Sequence, residues 1–217
     1  STPASDGERV YVFFGKSGVL AFDLEGRQLW SADVGSGTHD WGTGASPVVY
    51  THLVIVNASI ESESLVALEA RSGKEVWRAD GIKEAYDTPH FVEVSGGQTE
   101  LVLAIRDWLL GFDPATGKRL WSCEVPNKHN NNPSVVAHNG IVYCIVSGPA
   151  RSALAVRAGG RGDVTNGHVL WKIKKGSNVS SPVYHDGYVY FTDDILGIFY
   201  GLDAKTGEVA YEERLAS

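Results

Sequence analysis

The side chains in this sequence that can do chemistry gather just ahead of a recurring proline. His39, Asp40 and Trp41 precede Ser46-Pro47, and Lys83, Glu84, Tyr86 and Asp87 precede Thr88-Pro89. Lys128, His129, Asn130 and Asn131 precede Asn132-Pro133, and Ser177 and Asn178 precede Ser181-Pro182. Arg106-Asp107-Trp108 and Asp193-Asp194 form two further polar clusters. A histidine within about 2.6–3.2 Å of a proton it must move can act as an acid or base, and His129 with Asp87 is the candidate pair. Adjacent carboxylates such as Asp193 and Asp194 offer oxygen ligands to a hard cation. Aspartate is also a common turn residue, which is the plainer reading of that pair. Cys123 and Cys144 fit neither a CxxC metal site nor a disulfide framework. They read as two buried free thiols, with a disulfide between neighbouring units as the alternative. These residues define no catalytic constellation and no metal site.

The chain has 217 residues, 43% of them apolar and 21% charged, which is an ordinary globular balance in a chain long enough to bury a sizeable core. Its formal charge of −7 lacks the basic footprint of a nucleic-acid binder, so no nucleic-acid partner is expected. It contains no apolar run of about 18 residues, so no membrane span is expected. It also contains no Met, and the expected reading is a mature form or a segment of a longer protein.

What positions the polar clusters is a repeat. The stretches Leu20–Trp30, Leu65–Trp77, Leu110–Trp121 and Tyr200–Tyr211 share a strand, a Gly-bearing turn and a closing aromatic. A fifth copy is degenerate: Leu154-Ala155-Val156-Arg157-Ala158, an insertion, then Asn166-Gly167-His168-Val169-Leu170-Trp171. The closing aromatics are spaced 47, 44, 50 and 40 residues apart. A small polar residue followed by Pro keeps the same rhythm at Pro3, Pro47, Pro89, Pro133 and Pro182, with spacings of 44, 42, 44 and 49. A period of this length with four strand signals per unit is the signature of a β-propeller. The expectation is an all-β chain of five four-stranded antiparallel blades, near 1–34, 45–80, 88–125, 132–174 and 181–214, in one domain over 1–217. It carries 18 to 20 short strands and no helix longer than about two turns. The chain starts on a first strand and ends on a fourth, so it reads as an open arc from a seven- or eight-bladed parent. Its end blades would then expose apolar faces, Val10, Val12 and Leu20 at one end and Tyr188, Tyr190 and Tyr200 at the other, inviting self-association.

The run Asp113-Pro114-Ala115-Thr116-Gly117-Lys118-Arg119-Leu120-Trp121 resembles the tryptophan-docking repeat of the pyrroloquinoline-quinone-like (PQQ-like) propellers, and the resemblance extends over essentially the whole chain. It implies that Trp30, Trp77, Trp121 and Trp171 are structural, docking between blades, with Tyr211 in their place in the last unit. Some members of that family are quinoprotein dehydrogenases that hold PQQ and calcium above the axis. Others have lost the cofactor and act as scaffolds, such as the lipoprotein of the outer-membrane β-barrel assembly machinery. The dehydrogenases carry adjacent cysteines, which this chain lacks. The resemblance therefore leans to the scaffold branch: a non-enzymatic binding module of an exported bacterial protein, periplasmic or cell-envelope, without PQQ or calcium. The alternative is part of a PQQ-dependent quinoprotein oxidoreductase.

In a propeller the loops ahead of each first strand converge on the axis. The expected ligand site is thus an axial funnel of His39, Asp40, Trp41, Tyr86, Asp87, Arg106, Lys128, His129, Asn130, Asn131 and Asn178, open to a protein or a small polar ligand. Three short motifs carry other readings. Arg161-Gly162-Asp163 is an integrin-type tripeptide by chance, and Asn57-Ala58-Ser59 and Asn178-Val179-Ser180 match glycosylation acceptors.

Overall fold

A computed structural model describes residues 1–83, 85–126 and 131–215. Long apolar runs form the middle strands of each unit, and tight turns join them into meanders. Blade one is β1 (Ala4–Ser5), β2 (Arg9–Phe13), β3 (Val19–Asp23) and β4 (Gln28–Ala32). Blade two is β5 (Val48–Tyr50), β6 (Leu53–Ala58), β7 (Ser64–Glu69) and β8 (Glu75–Asp80), with a one-turn helix α1 (Ser59–Ser62) between β6 and β7. Blade three is β9 (His90–Val94), β10 (Gln98–Ile105), β11 (Trp108–Phe112) and β12 (Arg119–Glu124). Blade four begins with β13 (Val136–His138), β14 (Ile141–Val146) and β15 (Ser152–Arg157). Its insertion contributes β16 (Gly162–Asp163) and α2 (Thr165–His168) before the closing β17 (Val169–Ile173). Blade five is β18 (Val183–His185), β19 (Tyr188–Asp193), β20 (Ile198–Asp203) and β21 (Val209–Arg214).

Each blade pairs its strands antiparallel in chain order. The third sheet departs from the expected four strands: β16, from the insertion of blade four, adds in parallel to the outer edge of β12, with Trp121 opposite Gly162. That extra strand and the two-residue β1 bring the described strands to 21, slightly above expectation, and both α-helices are four residues long.

Every blade shows the same irregularity where its third and fourth strands pair. The register slips after Ala21, Ala67, Gly111, Ala155 and Gly201, and these small residues stand opposite Trp30, Trp77, Trp121, Trp171 and Tyr211. A bulge at that point increases the local twist and turns the aromatic. The small partner leaves room for it: a Cβ on Gly111 would lie 2.1 Å from the Trp121 ring.

The apolar side chains collect into four cores, each shared by two successive blades and each containing one tryptophan: Trp30 between blades one and two, Trp77 between two and three, Trp121 between three and four, Trp171 between four and five. A closed ring of five would need a fifth core, and among the described residues none joins blade five to blade one, so the blades form an open arc. All four tryptophans are buried. Trp30, Trp77 and Trp171 lie over Gly73, Gly117 and Gly207 of the next blade, and their indole N–H groups donate to the carbonyls of Ala70, Pro114 and Ala204 at 3.1, 3.1 and 2.9 Å. Those glycines hold φ of +73°, +71° and +76°, a region that a side chain would strain as well as block.

At the ends, Val10, Val12 and Leu20 are half-buried, as is Tyr190. Tyr200 corrects the expectation: it is 1% exposed, because the β20 register turns it inward against Phe191 and blade four. The outer face of blade five instead carries Tyr188, Tyr190, Phe199 and Tyr211 in successive ring contacts.

Candidate functional site

The first strands are stitched together at the axis by one residue per blade. The backbone N–H of Thr2 donates to Ser46 Oγ at 2.8 Å. In the same way Ser46 donates to Thr88 Oγ1, Thr88 to Ser134 Oγ and Ser134 to Ser181 Oγ, each at 2.9 Å. This ladder corrects the fourth proline marker. The residue equivalent to Ser46 and Thr88 is Ser134, not Asn132, so Pro133 precedes its position instead of following it.

Above the ladder opens a cavity of about 820 Å³, lined by Trp41, Tyr86, Asn132, Ser134, Pro149, Asn178, Val179, Ser181 and Asp194 among others. Each ladder hydroxyl accepts a backbone N–H and keeps its own O–H to donate. Asn178 Oδ1 accepts from Gly148 at 3.1 Å, and Asn132 Nδ2 donates to the Asn178 carbonyl at 2.9 Å. Asp194 accepts from the Ser177 hydroxyl at 2.8 Å and the Asn178 N–H at 2.7 Å. Although its partial burial works the other way, these donors hold its carboxyl below the usual range. Trp41, 85% exposed, stands at the rim. The loop that presents it is pressed onto α1: a Cβ on Gly35 or Gly37 would fall 2.3 or 2.2 Å from the carbonyl oxygens of Glu61 and Ile60. Thr43 bonds from the same loop to the Glu61 carboxylate, which burial pushes up.

The expected site residues divide. Trp41, Tyr86 and Asn178 line the cavity, and His39 joins them through Tyr86, whose hydroxyl is 2.7 Å from His39 Nδ1. The same Nδ1 accepts the Trp41 N–H at 3.3 Å. Asp40 and Arg106 are exposed and are not among the lining residues. Asp87 and Asn131 are fully buried and serve the fold: Asp87 Oδ2 accepts the Ala104 N–H at 2.9 Å, and Asn131 Nδ2 donates to the Pro133 carbonyl at 2.9 Å. Burial pushes the Asp87 carboxyl well above its ordinary value. Lys128, His129 and Asn130 lie outside the described residues, and so does the His129 half of the acid–base candidate; Glu84 does too. Ser134, Pro149, Val179 and Ser181 also line the cavity and are not among the expected site residues. Their signal was the ladder position and the β14–β15 loop, both blurred by the degenerate fourth unit.

The remaining motifs resolve into structural roles. Asp193 accepts the backbone N–H groups of Ile195 and Leu196, each at 3.0 Å, and pairs with Arg151 at 2.6 Å. Arg161 pairs with Glu100 at 2.9 Å, and Asp163 accepts the Thr165 N–H and hydroxyl. Asn57 is buried and donates to the carbonyls of Ala85 and Asp87. Cys123 and Cys144 are free thiols in the core between blades three and four, and burial raises both thiol pKa values, Cys123 to about 11. They are inert at neutral pH. Among the described residues no three His, Cys, Asp or Glu side chains converge as metal ligands, and no helix is long and apolar enough to cross a membrane.

In sequence, no curated protein matches the chain. In structure it is similar to BamB from Moraxella catarrhalis, with a TM-score of 0.72 at 18% identity, over 99% of this chain and 63% of that one. It is also similar to the quinohemoprotein alcohol dehydrogenase ADHIIG from Pseudomonas putida HK5, with a TM-score of 0.69 at 16% identity, over 100% of this chain and 42% of that one. A third similarity is to the computationally designed protein Ika8, with a TM-score of 0.67 at 14% identity, over 99% of this chain and 61% of that one. The chain thus spans about two fifths to three fifths of the length of these structures, and at such identities the likeness is one of fold. The family model described as outer membrane protein assembly factor BamB matches residues 1–213, and the chain therefore belongs to that PQQ-like propeller family.

Proposed function

We propose that this chain is a non-catalytic binding module that receives a polypeptide segment in its axial funnel, on the extracytoplasmic side of a bacterial envelope. The observation that carries the reading is the funnel itself: an open cavity lined by an exposed indole, by neutral hydrogen-bonding groups and by Asp194, which already accepts from Ser177 and the Asn178 N–H. Serine hydroxyls and asparagine amides offer hydrogen-bond donors and acceptors, and Trp41 offers a large apolar contact. Membership in a family described by outer-membrane protein assembly makes segments of outer-membrane β-barrels the first partners to test.

Among the described residues the donor set does not fit the quinoprotein alternative. A calcium ion takes six to eight oxygen ligands, while Asp193 and Asp194 are committed to backbone N–H groups. The two cysteines lie in the blade three–four core, and neither lines the funnel. The test is a fluorescence titration of the chain with peptides copied from outer-membrane strands and with scrambled controls. Saturable binding that weakens about tenfold in Trp41→Ala is expected, as for an interface anchor. Absence of binding, together with a saturable quinone spectrum on adding PQQ and calcium, overturns the reading in favour of an oxidoreductase fragment.

A further inference from the structure

A second cavity opens on the same face, between blades four and five, and its chemistry is the opposite of the funnel's. It has a volume of about 540 Å³ and is lined by Arg151 from the β14–β15 loop, by Lys172, Lys174 and Lys175 from the end of β17, and by Asp193 and Tyr200 from blade five. Pro149 lines both cavities, so they are neighbours. Two of the four cations have internal partners: Arg151 with Asp193 at 2.6 Å, and Lys175 with Glu212 at 3.2 Å and the Tyr200 hydroxyl at 3.1 Å. Lys172 and Lys174 are exposed, and neither pairs with a carboxylate among the described residues. On a chain with a net charge of −7, two of this cavity's four cations thus have no ion-pair partner among the described residues.

We infer that this cavity binds an acidic extended segment of a protein partner. Like charges gathered around one cavity repel, and an anion entering it relieves that repulsion. The position favours a polypeptide over a single small anion. The cavity adjoins the funnel at Pro149, so it continues a groove that a chain segment can follow. Lys172 lies in β17 and Lys174 in the bend just beyond it, so successive carboxylates of one segment can meet both. The inference deepens the binding-module reading by naming a partner chemistry, but it rests on a different cavity.

The test is fluorescence anisotropy of a labelled alternating Glu-Thr peptide against the 217-residue chain. Saturable binding that weakens with added salt is expected. Lys172→Gln with Lys174→Gln should weaken it about tenfold, the combined effect of two exposed charge contacts. Lys118→Gln with Lys205→Gln, an equal change of net charge on other turns, should leave it unaltered, and so should Trp41→Ala, which separates this site from the funnel. Lys174→Glu alone serves as a second variant should the double change disturb folding. No binding, or equal weakening by both lysine pairs, overturns the inference. Displacement of the peptide by an equal concentration of inorganic phosphate assigns the cavity to small anions instead. Binding of anionic lipid vesicles without binding of the peptide assigns it to a membrane surface.

Discussion

Trp77 and Trp121 stand at equivalent places in successive blades, yet different chemistry holds them. Trp77 lies on the Gly117 turn and donates to the Pro114 carbonyl, like Trp30 and Trp171 at their own turns. Trp121 faces the degenerate blade, where the insertion replaces the Gly-bearing turn. Its indole N–H donates instead to Glu100 Oε2 at 2.7 Å, a carboxylate from its own sheet. Glu100 is 1% exposed and is further satisfied by the Gly159 N–H at 3.0 Å and by Arg161 at 2.9 Å. The inserted β16 lies along the edge of β12, and Trp121 is the most buried of the four, at 1% exposure against 8–9% for the others. A repeat can therefore lose its motif and keep its interface, provided that the lost backbone acceptor is replaced and the new buried charge is paired.

The comparison breaks most easily at the indoles. Trp121→Ala should cost about 3–5 kcal/mol in urea denaturation, and more than Trp77→Ala, because it also removes a donor from a buried carboxylate. If the two are equal, Glu100 adds nothing. Glu100→Ala should cost about 3 kcal/mol, since Arg161 loses its partner and the Trp121 and Gly159 N–H groups lose their acceptor. Glu100→Gln keeps an acceptor and should recover much of that loss, so similar denaturation midpoints for the two variants would argue against a charge-based socket.

The turn glycines sharpen the ordinary half of the comparison. Gly117→Ala and Gly26→Ala both place a side chain at positive φ, a cost of about 1–2 kcal/mol each. A Cβ on Gly117 also lands 2.4 Å from the Trp77 ring, while one on Gly26 meets nothing within 4 Å. Gly117→Ala should therefore lower the melting temperature further, and equal shifts would show that the ring gives way freely.

A last expectation is a pH dependence beside the same interface. Burial keeps the Asp87 carboxyl protonated well above 3.8. The folded chain thus retains a proton that the unfolded chain releases, and stability falls as pH rises from 3.8 towards the raised folded value. Asp6, Asp23, Asp194 and Asp203 are shifted the other way and gain stability over rising pH, but they are common to both proteins. The stability of the native chain relative to Asp87→Asn should therefore decline as pH rises above 3.8. A flat difference in urea midpoints over that rise would contradict the assignment.

The blades were legible in sequence because two periodic signals, the closing aromatic and the strand-opening Pro, report the same backbone geometry. The five four-stranded units followed from them, and the docking role of the four tryptophans followed from the resemblance to the PQQ-like repeat. Two things were not legible. Glu100 reads as an ordinary strand residue, since a buried carboxylate is recognisable only when its partners, Trp121, Gly159 and Arg161, are seen from 21 to 61 residues away. The funnel was half legible: loops ahead of first strands were the right place to look, but Asp87 and Asn131 are spent on satisfying backbone groups. Pro133 also matched the proline marker while standing one position before the true ladder residue, Ser134.

The axial ladder has a consequence for how such a chain can change size. In the middle of the arc, one residue both gives and receives: Ser46, Thr88 and Ser134 each donate their N–H to the following blade and accept at their hydroxyl from the preceding one. The join is the same at every boundary, so a unit duplicated or deleted by recombination meets neighbours that already carry the matching group. Blade number can then drift during descent without the invention of a new contact at the seam, and what selection must supply is only a replacement socket where a turn has been lost.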